Sequence, residues 1–277
     1  MDDFLKAGLL GVIEGLTEFL PVSSTAHLRL SQSLLGLRMD DEYWKMFAIV
    51  IQLGAILSVL IYFRKRLTNL LSTYRFQMKH PFTLVLVAFV VTAIPSFLMS
   101  KLIGKHLESM TIIGASLLIG GVAMGAIDLK CSSGKTRELS EVTTTQSVWI
   151  GAVQILSAVF PGTSRSMSTI AGGQVVGLTR STALEFSFFL SIPTMLAATA
   201  YDLLKTLVLH REESSLVMDS HGWAVLLTGF TVAFFIAWAV IGWFTTWVRS
   251  RSFLPFAVYR VLLGIFVLWA SSAGRLG

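Results

Sequence analysis

Apolar residues run through this chain in blocks of about 20, the length at which a helix crosses the ~30 Å hydrocarbon core of a bilayer. Six blocks qualify: 47–63, 82–99, 111–129, 186–209, 222–247 and 254–271. Pro95, Pro193 and Pro255 fall inside or at the ends of these blocks and predict kinks or helix starts, which neighbouring helices tolerate in a membrane. Two further apolar stretches are too short to cross. Residues 4–20 stop at Pro21, and residues 147–160 stop at Pro161-Gly162. Pro fixes φ and supplies no N–H, so each stretch predicts a broken, re-entrant hairpin. A half-helix enters, the chain turns near mid-membrane, and a second half-helix leaves.

The two broken stretches resemble each other. GVIEGLTEFLPVSS from Gly11 and GAVQILSAVFPGTS from Gly151 align at a constant offset of 140. Gly11 meets Gly151, Glu14 meets Gln154, Pro21 meets Pro161 and Ser24 meets Ser164. Each stretch precedes three long blocks. The predicted fold is an all-α polytopic membrane protein, one domain over 1–277, with six transmembrane helices and two re-entrant helical hairpins. Its halves are repeat 1, about 1–130, and repeat 2, about 147–277. Three spans per repeat is odd, so the second copy is expected to be inverted relative to the first. Such repeats place their site where the broken helices meet, near the midplane.

Loop charge tests the inversion. Loop 64–81 carries Arg64, Lys65, Arg66, Arg75 and Lys79 and no acid, which assigns it to the cytoplasm. Alternating the six blocks puts Lys130, Lys135 and Arg137 on that same side, with Arg249 and Arg251. The loop at 210–221, with Glu212, Glu213 and Asp219, falls outside, as do both termini. The first hairpin then enters from outside and the second from the cytoplasm.

Composition agrees with a lipid-facing surface. The chain is 54% hydrophobic and 14% charged, with mean hydropathy +0.72, where soluble domains average about 25% charged residues. A net charge of +6 could suggest nucleic acid. The cations lie in short loops beside apolar blocks, which is the pattern of membrane orientation, and no nucleic-acid partner is expected. Cys131 is the single cysteine, so no intrachain disulfide can form. MDDFLK lacks the basic leader of a cleavable signal and is expected to be retained. Gly114, Gly120, Gly121 and Gly125 imply close helix packing, within the chain or in a homodimer.

The polar residues inside the broken stretches carry the chemistry. Glu14 and Glu18 share a helix face, and each carboxylate costs about 2.5–3.5 kcal/mol at the membrane centre. They could lie in water on an interfacial helix, line a polar cavity, hold a divalent cation or orient a base. Pro21-Val22-Ser23-Ser24-Thr25-Ala26-His27 reads as a break followed by an N-cap, whose N–H groups and positive dipole end attract phosphate. Ser24 and His27, three apart, could form a nucleophile and base, or be no more than a cap and an interfacial His. The second break supplies Gly162, Thr163, Ser164, Arg165, Ser166 and Thr169. Arg165 suits bidentate phosphate binding, and its bland alternative is an ion pair with Glu14 or Glu18. The two roles can coexist. These parts suit phosphoryl transfer on a substrate that itself lives in lipid.

EGLTEFLPVSSTAH and PGTSRSMSTI closely resemble the two signature motifs of the undecaprenyl-diphosphatase family, the bacterial bacitracin-resistance phosphatases. EFSFFLSIP from Glu185 and VIQLGAI from Val50 are also similar, and the likeness covers essentially the whole chain. Ala26 and Met167 depart from it, standing where glycine is expected in many members. The resemblance implies hydrolysis of undecaprenyl diphosphate in the bacterial cytoplasmic membrane, with a site opening to the outer face. It maps the family's glutamate motif onto Glu14 and Glu18, its serine and histidine onto Ser24 and His27, and its arginine motif onto Ser164, Arg165 and Thr169. It also implies a divalent cation, commonly magnesium or calcium. The expected mechanism binds phosphate with Arg165 and the groups around Ser23, Ser24, Thr25 and Gly162 to Thr169. Ser24 attacks while His27 takes its proton, with His27 or water as alternative nucleophiles. The rival expectation is a lipid-phosphate flippase, because inverted repeats around broken helices also build carriers.

Overall fold

A computed structural model describes residues 2–37, 41–74, 77, 79–99, 109–131, 133–204 and 219–274. Arg75, Glu212 and Glu213, used above to orient the loops, lie outside the described residues. The described residues form eleven α-helices. In order they are α1 (Asp3–Thr17), α2 (Ser24–Leu34), α3 (Glu42–Tyr62), α4 (Arg64–Ser72), α5 (Pro81–Leu98) and α6 (Met110–Lys130). The second half adds α7 (Thr144–Val159), α8 (Arg165–Val175), α9 (Arg180–Leu204), α10 (Ser220–Trp247) and α11 (Leu254–Ser272).

Six helices, α3, α5, α6, α9, α10 and α11, are long and apolar enough to cross a membrane. They match the six blocks. Without water, each backbone group must be satisfied within its own segment, so continuous apolar runs become helices. Side-chain caps start several of them. Asp41 Oδ1 accepts from the N–H groups of Tyr43 and Trp44, and Thr143 and Gln146 form a reciprocal capping box. Pro95 and Pro193 sit inside α5 and α9, and Pro255 in the first turn of α11. The basic loop after α3 is partly helical, as α4.

Packing runs across the two halves of the chain. α1 lies against α10, α7 against α5, and α6 against α11, while α3 packs on α9 and α10. Within each half the broken pair stays together, α1 with α2 and α7 with α8. The glycines of α6 face α11 of the same chain: a methyl added at Gly114 would sit 2.9 Å from Leu268 Cγ, and at Gly121 2.9 Å from Ala257 O. A core that includes Phe19, Phe186, Phe188 and Phe244 joins the first break to α9 and α10. Leu86, Val90 and Ile94 on α5 and Leu262, Ile265 and Trp269 on α11 remain on the outer surface, as lipid contact requires.

The polar tract 130–146 is anchored. Thr136 hydrogen-bonds with Gly177 and Thr179, and Leu139 and Val142 are buried. Beside it, the buried Asp128 carboxylate accepts from Arg180, Gln174 and the Phe253 N–H, joining α6 to the starts of α9 and α11.

Candidate active site

The first break spans residues 18–23 and the second 160–164. Ser23, at φ 75°, and Ser164, at φ 73°, are the non-glycine positive-φ residues among those described. Such backbone costs about 1–3 kcal/mol and is held by surrounding contacts. Each serine caps the helix that follows. Ser23 Oγ accepts from Ala26 N at 3.4 Å and Ser164 Oγ from Met167 N at 3.3 Å. The two breaks are therefore out of register by one residue relative to the constant offset of 140. Ser24 takes the first helical position of α2, as Arg165 does in α8. Gly162, at φ 90°, makes the second turn possible, and a methyl there would sit 2.6 Å from Ile113 O.

Both first-position side chains reach Glu18. Ser24 Oγ donates to Glu18 Oε2 at 2.5 Å, and Arg165 Nη2 donates to Glu18 Oε1 at 3.2 Å. One carboxylate thus ties the two helix starts together. Arg165 Nη1 donates to Ser187 O at 3.2 Å, its guanidinium lies 5.9 Å from the Phe19 ring centre, and its Nε is buried without a partner. Ser166 Oγ donates to Leu20 O, sewing the second helix start to the first break. Thr169 Oγ1 bonds the Arg165 carbonyl and lies 2.6 Å from Ser187 Oγ.

One turn deeper, Glu14 is fully buried at 0% exposure, and neither carboxylate oxygen has a hydrogen-bond partner. An unpaired buried carboxylate is costly, so the position calls for a proton or a cation. Glu14 and Glu18 are an all-oxygen donor set of the kind hard divalent ions take. Among the described residues no group of three or more His, Cys, Asp or Glu gathers to hold a metal, so water or substrate oxygens would complete the coordination. The orphaned Glu14 carboxylate fits a cation ligand, while both Glu18 oxygens are engaged by Ser24 and Arg165.

His27 sits apart from Ser24's hydroxyl contact. Its Nδ1 lies 2.7 Å from Ser23 O and its Nε2 2.6 Å from Tyr259 Oη, with the Tyr259 ring stacked at 5.6 Å. The hydroxyl of Ser24 is instead engaged by Glu18. Thr25 is exposed, and Thr163 lines an apolar cavity behind the second break. The junction therefore gathers Glu18, Ser24 and Arg165, with Glu14, Ser166 and Thr169 adjoining and His27 at its flank.

Sequence reasoning missed Arg260. It is 0% exposed and sits within the last apolar block. Nη1 donates to Pro21 O at 3.3 Å, and Nη2 to Gly162 O at 3.1 Å and Ser116 O at 3.2 Å. One guanidinium pins both breaks through their carbonyls, and among the described residues no acid pairs with it. A lone cation inside an apolar run was the available signal. Tyr259 and Ser187 carried none.

The profile described as bacitracin resistance protein BacA matches residues 7–266. An undecaprenyl-diphosphatase of Koribacter versatilis is 55% identical over 98% of this chain and 99% of its own length. Proteins of the same name from Persephonella marina and Rhizobium johnstonii are 41% and 39% identical, over 96% and 98% of this chain and 98% of each relative.

Proposed function

This chain belongs to the BacA family of bacitracin resistance proteins, and we propose that it works through the junction at Glu18. It is a multi-pass membrane phosphatase that hydrolyses undecaprenyl diphosphate to undecaprenyl phosphate and inorganic phosphate. The observation that carries the site assignment is the double bond of Glu18, to Ser24 on one side and Arg165 on the other.

Arg165 and the free N–H groups at the starts of α2 and α8 receive the diphosphate, with Ser23, Thr25, Gly162, Thr163, Ser164 and Ser166 around them. Glu18 occupies Arg165 until the substrate displaces it. The Ser24 Oγ–H points at Glu18, so Glu18 accepts the proton as Oγ attacks the terminal phosphorus. The P–O bond to the inner phosphate breaks, and undecaprenyl phosphate leaves with that oxygen. Water then attacks the phosphoserine, releasing phosphate and returning Ser24. His27 donates Nδ1–H to the Ser23 carbonyl, so its Nε2 accepts from the Tyr259 hydroxyl, and it takes the proton of that water once Tyr259 gives way. Glu14 and Glu18 would hold a magnesium or calcium ion, which when bound neutralises phosphate charge.

The halves are inverted repeats around two re-entrant hairpins, with the site opening to the outer face of the bacterial cytoplasmic membrane. The exchanged packing supports this, α1 on α10 and α7 on α5, as do Arg64, Lys65 and Arg66 on one side. A homodimer would form through lipid-facing surfaces, since the α6 glycines are occupied by α11.

The test is phosphate release from detergent-solubilised protein given undecaprenyl diphosphate, with and without a divalent ion. A flippase has no such activity without a membrane to cross. Acid-quench trapping of a phosphorylated Ser24, mapped by mass spectrometry, is expected. Full single-turnover entry of oxygen-18 with no trapped species would instead assign the attack to water.

A further inference from the structure

A cavity of about 580 Å³ lies between α6 and the α7–α8 hairpin, outside the polar junction. Its size falls within the roughly 300–1,000 Å³ of small-molecule sites. Ile119 and Ile127 on α6, Trp149 and Leu156 on α7 and Val175 on α8 make it apolar. Along α6 its lining runs from Ile112 to Ile127, about 22 Å of helix at 1.5 Å per residue. Small residues widen it on both walls: Ala115 and Ala123 on α6, Ala171 and Gly172 on α8.

Helix α8 joins this cavity to the phosphate junction. Arg165, Ser166 and Thr169 bond toward Glu18, Leu20 and Ser187. Ser168, Ala171, Gly172 and Val175, spaced along another face of the same helix, line the cavity. Ser168 is 2% exposed, and its Oγ is buried without a partner. Thr163 places the second break itself at the cavity, and Gly120 on the opposite wall backs onto Arg260, whose Nη2 would lie 2.5 Å from an added methyl.

We propose that this cavity seats the polyprenyl chain of the substrate. The inference rests on the phosphatase reading above and extends it to chain recognition. A diphosphate held at the start of α8 has its chain leaving within one helical turn of Thr163 and Ser168. The small residues give room for the methyl branches that an isoprenoid carries and a straight acyl chain lacks.

The test fills the cavity. Ala123→Trp is compared with Leu227→Trp, an outward-facing position on α10, using undecaprenyl diphosphate and the short farnesyl diphosphate. The ratio of kcat/KM for the long over the short substrate is expected to fall about tenfold in Ala123→Trp, through lost apolar burial, and to stay unchanged in Leu227→Trp. An unchanged ratio in Ala123→Trp overturns the proposal. A second measurement stands if that variant fails to fold. A photo-crosslinking residue at Ile119 in the otherwise native protein is expected to capture labelled undecaprenyl diphosphate, competed by the unlabelled compound and not by phosphatidylglycerol. Equal competition by phosphatidylglycerol, or no capture, overturns it. Wild-type protein that releases no phosphate from either substrate would defeat the phosphatase reading instead, and the crosslink reads occupancy separately from turnover.

Discussion

The two breaks share a backbone and differ in charge. Each follows a short apolar helix, contains a proline, passes through a serine at φ near 75°, and restarts with that serine as cap. The first break brings Glu14 and Glu18, whereas the second has Gln154 and Ala158 at the corresponding places and adds Arg165. Gln154, buried like Glu14, donates to Thr194 Oγ1 and stays neutral. A backbone device used twice thus became a bipolar site, with one half supplying carboxylates and the other the guanidinium. The shared backbone gives geometry, and the chemistry comes from where the two breaks differ.

The largest effect should follow from removing the second half's charge. Arg165→Ala is expected to lower kcat/KM by about 10³-fold or more, since the phosphates lose their cation, while the protein still inserts and purifies. Near wild-type turnover would end the assignment of the second break to phosphate. Next comes the residue that holds the breaks together. Arg260→Met leaves three carbonyls without their donor and is expected to cost about 3 kcal/mol or more, read as a lower Tm in detergent together with lost activity. An unchanged Tm would mean the breaks hold without the clamp.

Making the first half resemble the second sharpens the comparison further. Glu14→Gln keeps the shape of the side chain and copies Gln154. Activity is expected to fall about tenfold and to lose its response to chelators, since a hard cation loses a carboxylate ligand. Full chelator sensitivity in this variant would remove Glu14 from the cation site. The smallest effect is expected at the feature the two halves share. Ser164→Gly gives up a side-chain cap and relieves positive φ, so stability should stay within about 1 kcal/mol of wild type. A drop of several kcal/mol would show that the Ser164–Ser166 hydroxyl contact, 3.0 Å long, matters more than the cap.

The sequence by itself determined the helical membrane class, the six long helices, both breaks and the candidate polar residues. These follow from short-range physics: apolar runs must satisfy their own backbone in lipid, proline ends helices, and serine caps them. The cap was placed one residue off in the first half, because a constant offset cannot see that the capping serine follows its proline by two residues there and by three in the second.

Only the tertiary structure decided the partners. Either Glu14 or Glu18 could have met Arg165, and Ser24 could have met His27. Glu18 takes both Arg165 and Ser24, and Glu14 is left alone. Arg260 joins Pro21 and Gly162 from more than 90 positions away in sequence. Such pairings depend on how far each helix is rotated and slid against its neighbours. That is set where α1 meets α10, α7 meets α5 and α6 meets α11, between segments whose local patterns carry no information about one another.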